Sequence, residues 1–199
     1  MSKVIDHYFS ITSPWAFLGI GRIIEMAERH DATLVHKPID LGGKVFPISG
    51  GLPLPKRAPQ RQAYRLMELK RWRDFLDIPI NIQPKFFPAS GALAGPVVTA
   101  ARTRGLDCGK LAQAYLRAVW IEQRNIDDAE TVKTIAGEQG MDGDALFSAS
   151  GSDEIKELFG TDTQEAIDRG VFGAPTYAIG EELWWGQDRL DFVERALAG

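Results

Sequence analysis

Residues 3–16 read Lys-Val-Ile-Asp-His-Tyr-Phe-Ser-Ile-Thr-Ser-Pro-Trp-Ala, and this stretch decides the fold. Positions 3–10 mix β-branched and aromatic residues over a strand's length, with Val4 and Tyr8 on one face and Ile5 and Phe9 on the other, as a buried central strand requires. Ser13 at an N-cap followed by Pro14 at the first helical position marks a helix start, and the periodicity predicts a helix over 14–29. Residues 33–39 form a second strand. Strand, helix, strand is the unit that builds parallel pairing, so the chain opens as α/β.

Beyond this unit, residues 41–59 are too rich in Gly and Pro to hold a regular element for long, and a loop of that length often closes over a site. A helix is expected over 60–76 and an extended segment with two adjacent aromatics, Phe86 and Phe87, over 79–88. Helices then dominate from 91 to about 169. One carries Leu111, Tyr115, Ala118 and Val119 at helical spacing, and Asp127 with Glu130 fits a capping box for the next. Strand character returns at 176–179 and 183–185, across a turn at Gly180-Glu181, and a helix over 187–197 closes the chain. The order is β-α-β, helices, β-β-α, with no internal repeat or linker.

The 199 residues are 44% hydrophobic, enough for a packed core. The net charge of −4 and the lack of long like-charge runs argue against nucleic acid and anionic membrane as partners. The longest early apolar run, 8–21, is interrupted by Ser13 and Pro14 and falls short of the ~20 residues of a membrane span. Asp6 and His7 fall where a secretory signal needs its apolar region, so a soluble, cytoplasmic protein is expected. The single cysteine, Cys108, excludes an internal disulfide, and with His7, His30 and His36 it has no metal-ligand spacing; it is read as an incidental thiol. Gly19 and Gly21 do not make a dinucleotide-binding loop, because the third glycine is missing and the pair follows the helix start. No phosphate-binding Gly-Lys-Ser/Thr and no G-x-S-x-G elbow occurs.

Ser13-Pro14-Trp15-Ala16 after the first strand and Gly173-Ala174-Pro175-Thr176 before the third carry most of the remaining information. With the element order, they resemble thioredoxin-like proteins of the branch that includes DsbA, with a large all-helical insertion between the second and third core strands. The resemblance implies one unit over 1–199, its core at about 1–55 and 170–199 and its insertion at about 56–169. That branch carries Cys-Pro-x-Cys at its first site. Here Ser13 and Ala16 stand in place of both sulfurs, so the chain cannot run a dithiol cycle alone.

Tyr8-Phe9, Ser13-Pro14, the long Gly/Pro loop, Val171-Phe172-Gly173-Ala174-Pro175-Thr176 and Trp184-Trp185-Gly186-Gln187-Asp188-Arg189-Leu190 together resemble 2-hydroxychromene-2-carboxylate isomerases and kappa-class glutathione transferases over nearly the whole chain. The resemblance implies glutathione as cofactor, an aromatic carboxylate as substrate and a homodimer. Carried over by position, it implies that Ser13 hydrogen-bonds the glutathione thiolate. It further implies that the Ala174 backbone, before a cis Pro175, pairs with the cysteinyl unit, that Gln187 and Asp188 hold the γ-glutamyl end, and that Arg61 takes the glycyl carboxylate where relatives tend to have lysine. Where relatives carry Gly-Asn, this chain reads Ser49-Gly50-Gly51, so an asparagine contact is absent or replaced. For the substrate, Trp15, Phe86 and Phe87 are candidate aromatic walls, and Lys44, Lys56 or Arg57 are candidate partners of its carboxylate. Trp184 and Trp185 are read as packing residues. A transferase acting on other electrophiles and a non-catalytic thioredoxin-like binding protein are the alternatives.

Overall fold

β1 (Val4–Phe9) leads through Ser13 into α1 (Pro14–Arg29), and β2 (Thr33–Pro38) returns parallel to β1, with Val4 opposite Thr33 and Phe9 opposite Pro38. The computed structural model describes residues 3–199. β3 (Thr176–Ile179) lies antiparallel on the other edge of β1, with Tyr8 opposite Thr176, and β4 (Glu182–Trp185) pairs antiparallel with β3. The sheet order is β2-β1-β3-β4, so β1 is central, as its two apolar faces require.

Alternation along β1 divides the molecule into layers. Ile5 packs with Ile23 and Met26 of α1 and with Leu190 and Val193 of the closing helix α9 (Leu190–Ala198). On the other face Tyr8 packs with Val45, Ala166 and Ala178 beneath α8 (Asp153–Asp168). Ion pairs reinforce that second layer: Lys37 joins Asp6 at 3.0 Å and Glu165 at 2.8 Å, and Arg169 joins Asp6 at 2.8 Å.

Between β2 and β3 run the short α2 (Phe46–Ser49), then α3 (Pro59–Leu76), α4 (Ala94–Thr103), α5 (Cys108–Trp120), α6 (Ala129–Glu138), α7 (Gly143–Ser150) and α8. Leu111, Tyr115, Ala118 and Val119 of α5 enter the largest core cluster, where they meet Ala16, Leu18 and Ile20 of α1. The Gly/Pro stretch contains only short turns: a π-helical turn Leu41–Val45, α2, and a 3-10 turn Leu54–Lys56.

Three expectations need correction. The residue capping α6 is Asp128, whose side chain accepts from the Thr131 N–H; Asp127 instead accepts from the Ser90 N–H and hydroxyl. The segment 79–88 forms no strand but a series of bends ending in a cis Phe87–Pro88 bond. The last helix starts with a separate 3-10 turn, Gln187–Arg189. Among the described residues no helix is long and apolar enough to cross a membrane.

Candidate active site

Ser13 stands where β1 hands over to α1. Its backbone is extended (φ −75°, ψ 127°), and its Oγ accepts the Ala16 N–H at 3.2 Å. That is the geometry of an N-cap, which satisfies one of the amide groups a helix start leaves unpaired. Oγ donates to no protein group among the described residues, so its proton is available to an acceptor held at the positive end of α1. Ser13 is 8% exposed, which concentrates that field.

The antiparallel register of β1 and β3 brings the other half of the site to the same end of the sheet. Tyr8 opposite Thr176 puts the loop before β3 beside the segment that follows β1. The Ala174–Pro175 bond is cis. The Thr176 hydroxyl donates to the Gly173 carbonyl at 2.8 Å, and the Pro175 carbonyl accepts from the Gly186 N–H at 2.9 Å. The Ala174 N–H and C=O take part in neither the ladder nor these loop bonds, which leaves a short backbone edge for a ligand. The Trp185 ring lies against Gly173, where any Cβ would collide with the indole, and packs edge-on against Phe172 at 4.8 Å. Ser49 ties the Gly/Pro stretch to this loop by donating to the Phe172 carbonyl at 3.4 Å.

After β4, Gly186 adopts φ +109°, which only glycine takes readily, and turns the chain into the 3-10 turn. Gln187 is 2% exposed, and its Oε1 accepts from Arg22 Nη1 at 2.7 Å. The carboxamide oxygen thus ties the turn to α1, and the Nε2 donor has no protein partner among the described residues. Asp188 is half-exposed, pairs with Arg189 at 3.2 Å, and accepts no backbone N–H.

Several basic groups lie in the Gly/Pro stretch and in α3. Arg61, in the first turn of α3, is exposed, as are Lys44 and Lys56. Arg57 is held by its Nε, which donates to the Leu52 carbonyl at 2.7 Å, and its guanidinium lies 5.9 Å from the Phe46 ring centre. None of Lys44, Lys56, Arg57, Arg61 or Arg65 forms an ion pair with a carboxylate among the described residues, in contrast to Lys37, Arg102 and Arg169 in the body of the protein. Burial and the charge of Arg61 lower the Arg57 pKa. Trp15 is half-buried on the main core, as is Phe87, which packs on Trp120 at 4.7 Å; Phe86 lies under Lys85. Arg65 escaped the sequence reading. Arginines are seldom buried, and nothing in the polar run around it marks this one as inward.

Cys108 stands apart at the start of α5, next to the Gly109 that packs on His36, and burial raises its pKa. Among the described residues no His/Cys/Asp/Glu cluster could hold a metal. A cavity of about 560 Å³ opens farther along α1, beside Arg22, Glu25, Lys110 and Arg117, and includes none of Ser13, Ala174, Asp188 or Arg61. We place the site at Ser13 because the helix start and the open backbone edge share that end of the sheet.

The chain is 29% identical to the 2-hydroxychromene-2-carboxylate isomerase of Sphingobium xenophagum over 99% of each chain. It is 22% identical to glutathione S-transferase kappa 1 of Caenorhabditis elegans, over 95% of this chain and 88% of that one. A solved 2-hydroxychromene-2-carboxylate isomerase superposes with a TM-score of 0.80 at 27% identity, covering 98% of this chain and 94% of the other. The model of the DSBA-like thioredoxin domain matches residues 4–198, and the chain belongs to that family.

Proposed function

We propose that this protein is a glutathione-dependent isomerase that converts a 2-hydroxychromene-2-carboxylate into its trans-o-hydroxybenzylidenepyruvate. The observation that carries the reading is Ser13: a hydroxyl at the N-cap of α1, with its proton undonated, where the redox members of this fold carry the first of two thiols. Relatives named as isomerases of this substrate match over nearly the full chain, which favours isomerisation over redox exchange.

The residues present fit glutathione. The open Ala174 edge suits its peptide unit, Asp188 its α-ammonium and Arg61 a carboxylate. Glutathione held there would supply a thiolate for reversible addition to the double bond of the ring-opened α,β-unsaturated pyruvate, so that rotation about the resulting single bond and elimination would give the trans isomer and return the thiol. The protein's part is positional and electrostatic. A thiol with pKa ~8.5 is only a few per cent ionised at neutral pH. The Ser13 O–H and the free amide groups of α1 favour the charged form, and Trp15 and Phe87 offer flat apolar surface to the acid. The reading carries a cytoplasmic location and a homodimer with it as proposals.

The test is spectroscopic isomerisation of the chromene carboxylate with and without glutathione. Glutathione-dependent turnover is expected. Equal rates in both conditions, or none in either, would overturn the reading, and conjugation without isomerisation would identify a transferase instead.

A further inference from the structure

Arg65 lies midway along α3 and is 8% exposed, yet no carboxylate, carbonyl or hydroxyl receives any of its N–H groups among the described residues. Nη2 is sealed from solvent without a partner. The other guanidinium nitrogens are equally free of protein partners among the described residues but are not sealed, so a ligand can reach the group there. Its neighbours are aromatic: the guanidinium carbon is 5.1 Å from the Phe87 ring centre and 5.7 Å from that of Trp120. The Trp120 indole N–H is a second buried donor with no acceptor. Burial, with the charge of Arg57, lowers the Arg65 pKa to about 10, which still leaves the group charged at neutral pH.

A protein gains nothing in stability from such an arrangement. Stacking on two rings recovers part of the lost hydration, but a desolvated charge without a counter-ion is unfavourable, and so is each unmade hydrogen bond. A water molecule at the unsealed nitrogens would bring no charge. A carboxylate supplies both lone pairs and the charge, and guanidinium is the group that binds carboxylates through two parallel bonds.

The place is also right. Four residues after Phe87, Gly91 packs so closely on the segment before Ser13 that a Cβ there would sit 2.5 Å from Ile11 Cγ2 and 3.1 Å from Thr12 Cγ2. Four residues of chain span at most about 14 Å, which bounds the separation of Phe87 from the segment that precedes Ser13.

We propose that Arg65, reached at its unsealed guanidinium nitrogens, is the receptor for the carboxylate of a planar conjugated acid whose π system lies on Phe87. The identity of that acid rests on the isomerase reading above. The rival source of the same chemistry is a carboxylate of glutathione itself.

Calorimetric titration of the full chain with trans-2-hydroxycinnamate and its neutral amide tests this without turnover. The wild type is expected to bind the acid at least tenfold more tightly than the amide. Arg65→Met should lose about 10- to 150-fold for the acid and little for the amide, the range for a hydrogen bond to a charged group. Arg65→Lys, which keeps the charge without the planar guanidinium, should lose less. Without ligand, the Arg65→Met thermal midpoint should equal or exceed that of the wild type, because a buried unpaired charge has gone. Should Arg65→Met not fold, Arg65→Lys carries the affinity test.

Unchanged acid affinity in the folded Arg65 variants would overturn the proposal. So would a loss confined to glutathione affinity, which would assign Arg65 to the cofactor. Arg65-dependent acid binding in a protein that does not isomerise the chromene would remove the isomerase reading and leave the receptor standing. Isomerisation with Arg65-independent acid affinity would do the reverse.

Discussion

Ser13 performs two tasks with one oxygen, and they can be separated. As acceptor it caps α1 through the Ala16 N–H, and as donor it is proposed to steady a thiolate. Ser13→Ala removes both, so a loss of activity would be ambiguous: alanine at an N-cap costs about 0.5–2 kcal/mol of stability, whereas glycine costs only a few tenths. Ser13→Gly should therefore melt close to the wild type while its turnover falls by roughly 10- to 150-fold, the value of a hydrogen bond to a charged group. Turnover and thermal midpoint measured on both variants check this, and a glycine variant with full turnover would reduce Ser13 to a helix cap. Such a residue is legible in sequence because its signal is local: Ser before Pro after an apolar strand needs no knowledge of the rest of the chain. Arg65 and Gln187 are not legible in that way. What buries Arg65 is Phe87 and Trp120, 22 and 55 positions away, and what engages Gln187 is Arg22, 165 positions away.

At the scale of elements, α1 is held against the sheet and the last turn by a missing side chain. A Cβ on Gly19 would sit 2.6 Å from the Tyr177 hydroxyl and 2.9 Å from Gln187 Cβ, both fully buried groups. Gly19→Ala should accordingly destabilise the protein by about 1–3 kcal/mol, the usual cost of overpacking a filled core, and denaturant titration measures it. The glycine that sequence reasoning considered and rejected for phosphate binding is thus a packing glycine. The turn that Gly19 admits carries Asp188, whose proposed contact is with an ammonium remote from the reacting sulfur and unchanged during reaction. Such a contact is uniform binding, so Asp188→Asn should raise the half-saturating glutathione concentration and leave saturated turnover nearly intact. Stability should hardly change, because Asp188 caps no helix and its pair with Arg189 is exposed. An unchanged half-saturating concentration would dismiss it as a ligand. The misplaced cap on α6 shows where local reading fails between neighbours: Asp127 and Asp128 suit the role equally by residue type, and Asp128 takes it because Asp127 is drawn away to Ser90.

The whole molecule carries a pH dependence that originates in the sheet. The parallel register sets His7 opposite His36 at the centre of the sheet, and their Nδ1 atoms meet at 3.0 Å, so one ring donates and the other accepts. His7 is fully buried between the rings of Phe9 and Tyr177. Desolvation, then the neighbouring imidazole, holds its pKa well below 6.5, and desolvation likewise lowers that of His36 to about 4. Both groups bind protons more weakly in the folded than in the unfolded chain. Their contribution to stability is therefore complete above about pH 6.5 and is lost as pH falls toward 4, at up to about 1.4 kcal/mol per pH unit for each histidine. Thermal midpoints should be level from pH 8 to 7 and decline progressively below 6. The sharper check is NMR titration of the two rings: their shifts should stay fixed from pH 8 to 5, and a midpoint near 6.5 for either would contradict the buried neutral pair. A decline in glutathione-dependent turnover over the same acid range must then be separated from unfolding, since thiolate protonation and loss of the fold both act as pH falls. Circular dichroism at each assay pH separates them: while the fold signal holds, lost turnover reports the thiolate that Ser13 is proposed to hold.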